Sequence, residues 1–179
     1  MGEVTTRKRI YELIVLNPGL HFRELQRRLN MQVGMLEYHL SVLQREGLVV
    51  ARQDGKYVRY FANTVMTQQE RNIIGNLRNE VMRRIVIFVL EKGRVKHREI
   101  VEHLNMSSST ISYYLNKLVK NGILERESIG RENYYTVKNP KLVANTIIKY
   151  RKSFLDSLVD NFAKLWIEKN KKGGGGASA

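Results

Sequence analysis

The chain has 179 residues, no cysteine and a net charge of +14. The missing thiols exclude disulfides, thiolate metal sites and cysteine nucleophiles, and they fit a reducing compartment. With 42% hydrophobic residues, no apolar run long enough to span a bilayer and no apolar leader after Met1, a globular cytoplasmic protein is expected, with no membrane association.

The charge is spread along the chain: residues 1–64 carry +4, 65–80 carry 0, 81–139 carry +5 and 140–179 carry +5. A distributed excess of Lys and Arg suits a polyanionic partner, because each cation laid on a phosphate releases condensed counterions.

The first predicted helix is Thr6 to Leu16, with Ile10, Leu13 and Ile14 on one face, ended by Asn17-Pro18-Gly19. A second follows from Phe22 to Leu29 and a turn through Asn30-Met31-Gln32. The third, Val33 to Glu46, places Leu36, Leu40 and Leu43 on one stripe and stops at Gly47. Leu48 to Gln53 then reads as a strand, Asp54-Gly55 as a hairpin turn and Tyr57 to Phe61 as the returning strand.

Adding 75 to the numbers between Arg9 and Tyr60 aligns the chain with itself without a gap. Identities include Arg23/Arg98, Asn30/Asn105, Leu40/Leu115, Gly47/Gly122, Gly55/Gly130 and Tyr60/Tyr135. The second copy therefore predicts helices over Val81–Leu90, Arg98–Leu104 and Ser108–Asn121, then strands over Ile123–Glu127 and Asn133–Val137. Three helices and a β-hairpin make a winged helix-turn-helix, here expected twice in tandem. The fold class is mainly α with small β-hairpin wings.

Thr67-Gln68-Gln69-Glu70 has capping-box spacing and opens a linker helix to about Leu77. The expected divisions are thus 1–64, a helical linker at 65–80, 81–139, and a C-terminal helix over 140–172. Pro140 suits that last helix's first turn. Its stripe of Ile148, Leu155, Leu158, Val159, Phe162, Leu165 and Trp166 approximates a coiled-coil seam and predicts a homodimer. Residues 173–179, rich in glycine, read as an added linker.

The third helix of a helix-turn-helix lies in the major groove and presents its N-terminal half to base edges. In the second copy, removing the core positions leaves Ser108, Ser109, Thr110, Ser112, Tyr113, Asn116 and Lys117 facing outward, without one acid. Ser107 and Ser108 also suit helix capping. The first copy presents Val33, Gly34, Met35, Glu37, Tyr38 and Ser41, with Gln32 just before them. Glu37 can accept from a cytosine amino group but repels phosphates. Positive charge lies instead on Arg23, Arg27 and Arg28 and on Arg52, Lys56 and Arg59 of the wing, while Arg131 marks the second wing tip. The second copy is expected to read sequence, and the first to hold backbone or touch protein.

Tyr38-His39-Leu40-Ser41-Val42-Leu43-Gln44-Arg45-Glu46-Gly47-Leu48-Val49 resembles the third helix of ArsR-type repressors, which runs Ser-x-His-Leu-x-x-Leu-x-x-x-Gly-Leu-Val. Glu37 stands where that family has Ser; the second copy has Ser112 there, with Tyr114 for the His. The doubled arrangement is similar to tandem winged-helix regulators of archaea. The resemblance implies duplex DNA as partner, with the basal transcription machinery as a possible second one. Metal sensing does not carry over, because the family's cysteine ligands are absent. His21, His39, His97 and His103 have no metal-ligand spacing, and His39 reads as a packed core imidazole. No catalytic constellation or cofactor motif occurs, so a regulator rather than an enzyme is expected. The rival readings are a winged-helix protein-interaction scaffold and a replication-initiator type of DNA-binding protein.

Overall fold

The periodic apolar residues of the first segment form the core they predict. In a computed structural model, α1 spans Gly2–Leu16, β1 Leu20–His21, α2 Phe22–Leu29 and α3 Val33–Arg45; β2 spans Val49–Asp54, β3 Tyr57–Ala62 and α4 Gln68–Leu77. These elements belong to a unit given by Met1–Arg78, and a second unit covers Asn79–Ala179. The structure describes residues 2–63 and 66–173. Within them the protein is mainly helical with two small antiparallel sheets.

In the first unit Ile10, Ile14, Leu20, Leu25, Leu36, Leu40, Leu43 and Val49 are buried together. Each contributes about 1.5–3 kcal/mol by leaving water. The sheet runs β1-β3-β2, with Leu20 opposite Tyr60 and Val49 opposite Ala62. The short strand β1 was not expected. At Gly19 the backbone adopts φ +82°, and an added Cβ would lie 3.1 Å from Phe61 and 3.3 Å from Ile74. Only glycine fits there without strain.

Helix α4 has the expected capping box: Thr67 Oγ1 accepts from the Glu70 N–H and the Glu70 carboxylate accepts from the Thr67 N–H. It continues through Gly75 and Asn76 and buries Ile73, Ile74 and Leu77. Arg78 donates twice to the Pro18 carbonyl, at 2.9 and 2.7 Å. The segment expected as a linker is thus packed into the first unit.

The second unit has α5 at Glu80–Lys92, β4 at Val95–Lys96, α6 at His97–Leu104 and α7 at Ser108–Lys120. It continues with β5 at Leu124–Ile129, β6 at Glu132–Val137, α8 at Pro140–Lys149 and α9 at Ser157–Gly173. Its sheet order is β4-β6-β5, with Val95 opposite Tyr135 and Leu124 opposite Val137. Each of these pairs is the first sheet's pair displaced by 75. Asn30 and Asn105 take the same left-handed backbone (φ 49° and 51°), as do Gly55 and Gly130 at the hairpin tips (φ 59° and 61°).

The C-terminal segment departs from expectation. One helix over 140–172 is replaced by two, joined by a 3-10 turn at Arg151–Phe154 and by Leu155 in left-handed backbone (φ 53°). Ile148 and Leu155 therefore share no continuous seam with Val159. Val159 and Phe162 are buried at 0% and 1% exposure within their own unit, where α9 packs against α8, the 3-10 turn and α5. Arg83 of α5 donates to Asp156 at 2.8 Å and lies over the Phe154 ring, fixing the elbow. Leu158 and Trp166 are half-buried, Trp166 against Phe162, and Leu155 and Leu165 are exposed. Truncation after Asn139 would strip cover from α5 rather than release a finished unit. Gly173 ends α9, and the rest of the expected linker, 174–179, lies outside the described residues.

Candidate nucleic-acid interface

Two short helices joined by a tight turn set the geometry. Asn30 ends α2 with its N–H directed to the carbonyls of Arg27 and Gln26, and α3 begins three residues later. Asparagine tolerates left-handed backbone better than other non-glycine residues, which suits it to this corner. Asn105 does the same between α6 and α7.

On α3 the inward face is Leu36, His39, Leu40, Val42 and Leu43. His39 is 3% exposed, as expected for a core imidazole. The outer face shows Gln32, Val33, Met35, Glu37, Tyr38 and Ser41 to solvent. On α7, Ile111, Leu115 and Leu118 face inward; Ser108, Ser109, Tyr113 and Asn116 are exposed, and Thr110, Ser112 and Lys117 are half-buried.

A cleft lies in each unit between the helix-turn-helix and the returning strand of the wing. The first, of about 670 Å³, is lined by residues including His21, Arg23, Glu37, Ser41, Lys56 and Tyr57. The second, of about 430 Å³, is lined by residues including His97, Arg98, Ser112, Asn116, Arg131 and Glu132. Arg23/Arg98, Glu37/Ser112, Ser41/Asn116, Lys56/Arg131 and Tyr57/Glu132 are each 75 apart. Both clefts keep a cation on the helix and a cation at the wing tip, and the second adds Arg126 of β5.

Their polar groups are used differently. In the first cleft His21 stacks on Tyr57 at 5.1 Å, and its Nδ1 caps α2 by accepting from the Glu24 N–H at 3.2 Å. Burial and then the neighbouring Arg59 cation push the His21 pKa down. Lys56 lies over the Tyr57 ring at 5.2 Å. Burial, then the Glu37 charge, push the Tyr60 phenol up. In the second cleft His97 Nε2 and Ser112 Oγ share a hydrogen bond of 2.9 Å, and Arg126 donates to Asn116 Oδ1 at 3.0 Å. At the head of α7, Ser107 Oγ accepts from the Thr110 N–H and sits 2.7 Å from Thr110 Oγ1, so Ser107 is the cap.

One expected contact residue is withdrawn. Arg59 is 9% exposed, pairs with Asp54 at 2.7 Å and donates to the Gly19 carbonyl at 3.0 Å. The physical reason is α4, whose Gly75 approaches the Arg59 side chain over the sheet. Arg27 and Arg28 both pair with Glu24, although Arg27 stays exposed. His21, Tyr57, His97, Arg98 and Arg126 were missed. The repeat register alone marks Arg98, as partner of Arg23.

Residues 4–74 match the model of a family described as an N-terminal HTH domain. Residues 77–138 match a domain family of unknown function. Over 147 residues the chain is 31% identical to an uncharacterized HTH-type transcriptional regulator of Methanocaldococcus jannaschii, a match covering 82% of this chain and 35% of that protein. The chain thus spans about a third of that relative's length. Two solved structures of the endosomal complex ESCRT-II are also similar. One has 17% identity and a TM-score of 0.32, covering 79% of this chain and 63% of that one. The other has 16% identity and a TM-score of 0.28, covering 74% and 65%. No helix of the described residues is long and apolar enough to cross a membrane.

Proposed function

We propose that the chain is a non-enzymatic, sequence-specific regulator of transcription that binds duplex DNA in the cytoplasm through two tandem winged helices. The observation that carries this reading is the pair of corresponding clefts, each flanking a solvent-facing third helix and bearing Arg23 and Lys56 or Arg98 and Arg131. With the third helix of each unit in a major groove, these cations reach phosphates on either side of it. Ser108, Ser109, Thr110, Ser112, Tyr113, Asn116 and Lys117 then face the groove that α7 enters, and Gln32, Tyr38 and Ser41 the groove that α3 enters. Arg27, exposed on α2, adds a backbone contact. The helix-turn-helix family match and the similarity to an HTH-type regulator support DNA as the partner.

The protein acts as a homodimer. Leu155 at the elbow, at 79% exposure, and Leu165 and Ile167 on the last helix, at 62% and 37%, leave apolar surface after their own unit is covered. A two-fold axis would match a pseudo-palindromic site.

Titration of a duplex with the intact protein tests the reading. If about 6–10 phosphates are contacted, affinity falls roughly 10³–10⁵-fold between 50 and 200 mM salt. Binding that is absent at low salt, or unmoved by salt, would exclude it. The scaffold reading draws on a specific feature, the exposed Val33, Met35 and Tyr38 of α3. It predicts that changing all three to polar residues leaves duplex affinity unaltered.

A further inference from the structure

We infer that Glu37 is the base-reading group: on duplex DNA its carboxylate accepts a hydrogen bond from the exocyclic amino group of a cytosine in the major groove. The first unit, rather than the second, then sets sequence preference. The inference rests on the DNA-binding reading and adds which residue discriminates, and for which base.

An acid on the outer face of a groove-entering helix repels the phosphates on either side, and in a chain of net charge +14 it is out of keeping. Glu37 is the one acid of α3, and α7 has none. It is exposed and makes no hydrogen bond or ion pair among the described residues. That is not for want of partners in the cleft, since Arg23 and Lys56 line it too and make no ion pair there. Glu24, one helix away, takes both Arg27 and Arg28. The first cleft thus holds an unpaired acceptor and two cations that have no carboxylate partner among the described residues. Phosphates satisfy the cations, and an amino group satisfies the carboxylate.

Base chemistry selects cytosine. Its major-groove edge presents the amino donor, and its partner guanine presents acceptors that suit a cation. Adenine also carries an amino group, but its N7 lone pair stands beside it and repels a carboxylate's second oxygen. Thymine shows only an acceptor and a methyl. The exposed apolar residues flanking Glu37, Val33 and Met35 on the preceding turn and Tyr38 beside it, suit neighbouring thymine methyl groups.

The second unit's groups are spoken for. Reading adenine with both arms of Asn116 requires its Oδ1, which already accepts from Arg126. Ser112, at the position of Glu37, is joined to His97. Each is already held by one bond and meets a base only through its remaining hydrogen-bonding capacity, so discrimination there is reduced, while backbone holding is not.

The test uses the intact chain and a pool of duplexes with a randomised core, followed by competition on the selected site. The wild type should select a cytosine at a fixed position and lose roughly 5- to 150-fold in affinity when that pair becomes thymine-adenine. Glu37→Gln should bring this ratio to within about twofold of unity while binding unselected DNA at least as well, because a repelling charge is gone. Glu37→Asp, which keeps the charge and shortens the reach, should give an intermediate ratio. Asn116→Ala, which removes a holding contact of the second unit, should lower affinity for all duplexes alike and so keep the wild-type ratio. Wild-type preference surviving Glu37→Gln, or lost in Asn116→Ala instead, would place the reader in the second unit and overturn the inference. So would a wild type that binds every duplex equally. A chain that binds no duplex at low salt would fail the DNA-binding reading itself.

Discussion

The two units hold their wings by different means on the same backbone. In the first, Arg59 of β3 is sunk beneath α4, pairs with Asp54 across the hairpin and reaches the Gly19 carbonyl. The corresponding residue of β6, 75 further on, is Tyr134, a half-buried ring that receives Arg94 at 4.2 Å and Lys96 at 5.5 Å on its face. The first helices differ as well. Helix α1 buries Ile10 and Ile14, whereas α5 buries every residue from Ile85 to Leu90, being packed by α6, α7, β6 and α9. The difference teaches that register rests on a few backbone corners and core leucines, leaving the polar residues free to diverge.

Removing the second unit's extra cover should give the largest effect. Phe162→Ala leaves a cavity beneath α9 and should cost about 3–5 kcal/mol. Residue-resolved hydrogen exchange should show lost protection across α5 and α8 but not across α1 to α3. Equal loss in both units would break the comparison. Removing the wing holders should come next. Arg59→Ala strands Asp54 and the Gly19 carbonyl; because Asp54 is partly exposed, the expected cost is about 1–3 kcal/mol. The equivalent Tyr134→Ala gives up two largely exposed cation–π contacts of about 0.5–1 kcal/mol each, plus part of a ring's burial. Denaturant titration should therefore show losses of similar size in the two variants, and a clearly larger loss in Tyr134→Ala would show that the stacked cations are the stronger clasp.

The smallest effect is one of pH. His21 has a folded pKa below its ordinary 6.5, from burial first and the Arg59 charge second. The unfolded chain therefore binds the proton first. The contribution of His21 to stability is complete above about 6.5 and declines as the pH falls through that value towards the folded pKa. Protonation also converts the Nδ1 acceptor that caps α2 into a donor. At the same place in the second unit stands Lys96, whose N–H is held by Glu99 at 2.7 Å and which has no imidazole to titrate. Between pH 7 and 5 the protection of α2 should fall while that of α6 does not. His21→Asn should abolish the difference.

Most helices and both hairpins were legible in the sequence because each rests on local signals: apolar spacing, Asn30 and Asn105 at the corners, and Asp54-Gly55 at a turn. What escaped depends on distant partners. The two-residue strands Leu20–His21 and Val95–Lys96 exist only because β3 and β6 arrive some forty residues later to pair with them. Arg59 looks like a surface cation until α4 folds over it. The break between α8 and α9 carries neither proline nor glycine; Leu155 takes the left-handed backbone instead, so the apolar stripe ran on across it. Of the candidate site, the outer faces of α3 and α7 followed from periodicity. The engagement of Ser112 by His97 and of Asn116 by Arg126 did not, because hydrogen bonds between a helix and its neighbours leave no periodic mark.

The elbow at Leu155 also orders events during synthesis. Every contact that completes the first unit is present once the chain has emerged to Arg78, whose guanidinium seals Pro18. Helix α5 is made soon afterwards, yet Arg83 must wait 73 residues for Asp156, and the cover over α5 waits longer still for Phe162. On a ribosome adding about 5–20 residues per second, that is a delay of roughly 4–15 s during which an apolar helix stands partly uncovered. Nascent second units on neighbouring ribosomes are thus the stage at which this protein is most open to mispairing or to capture by a chaperone.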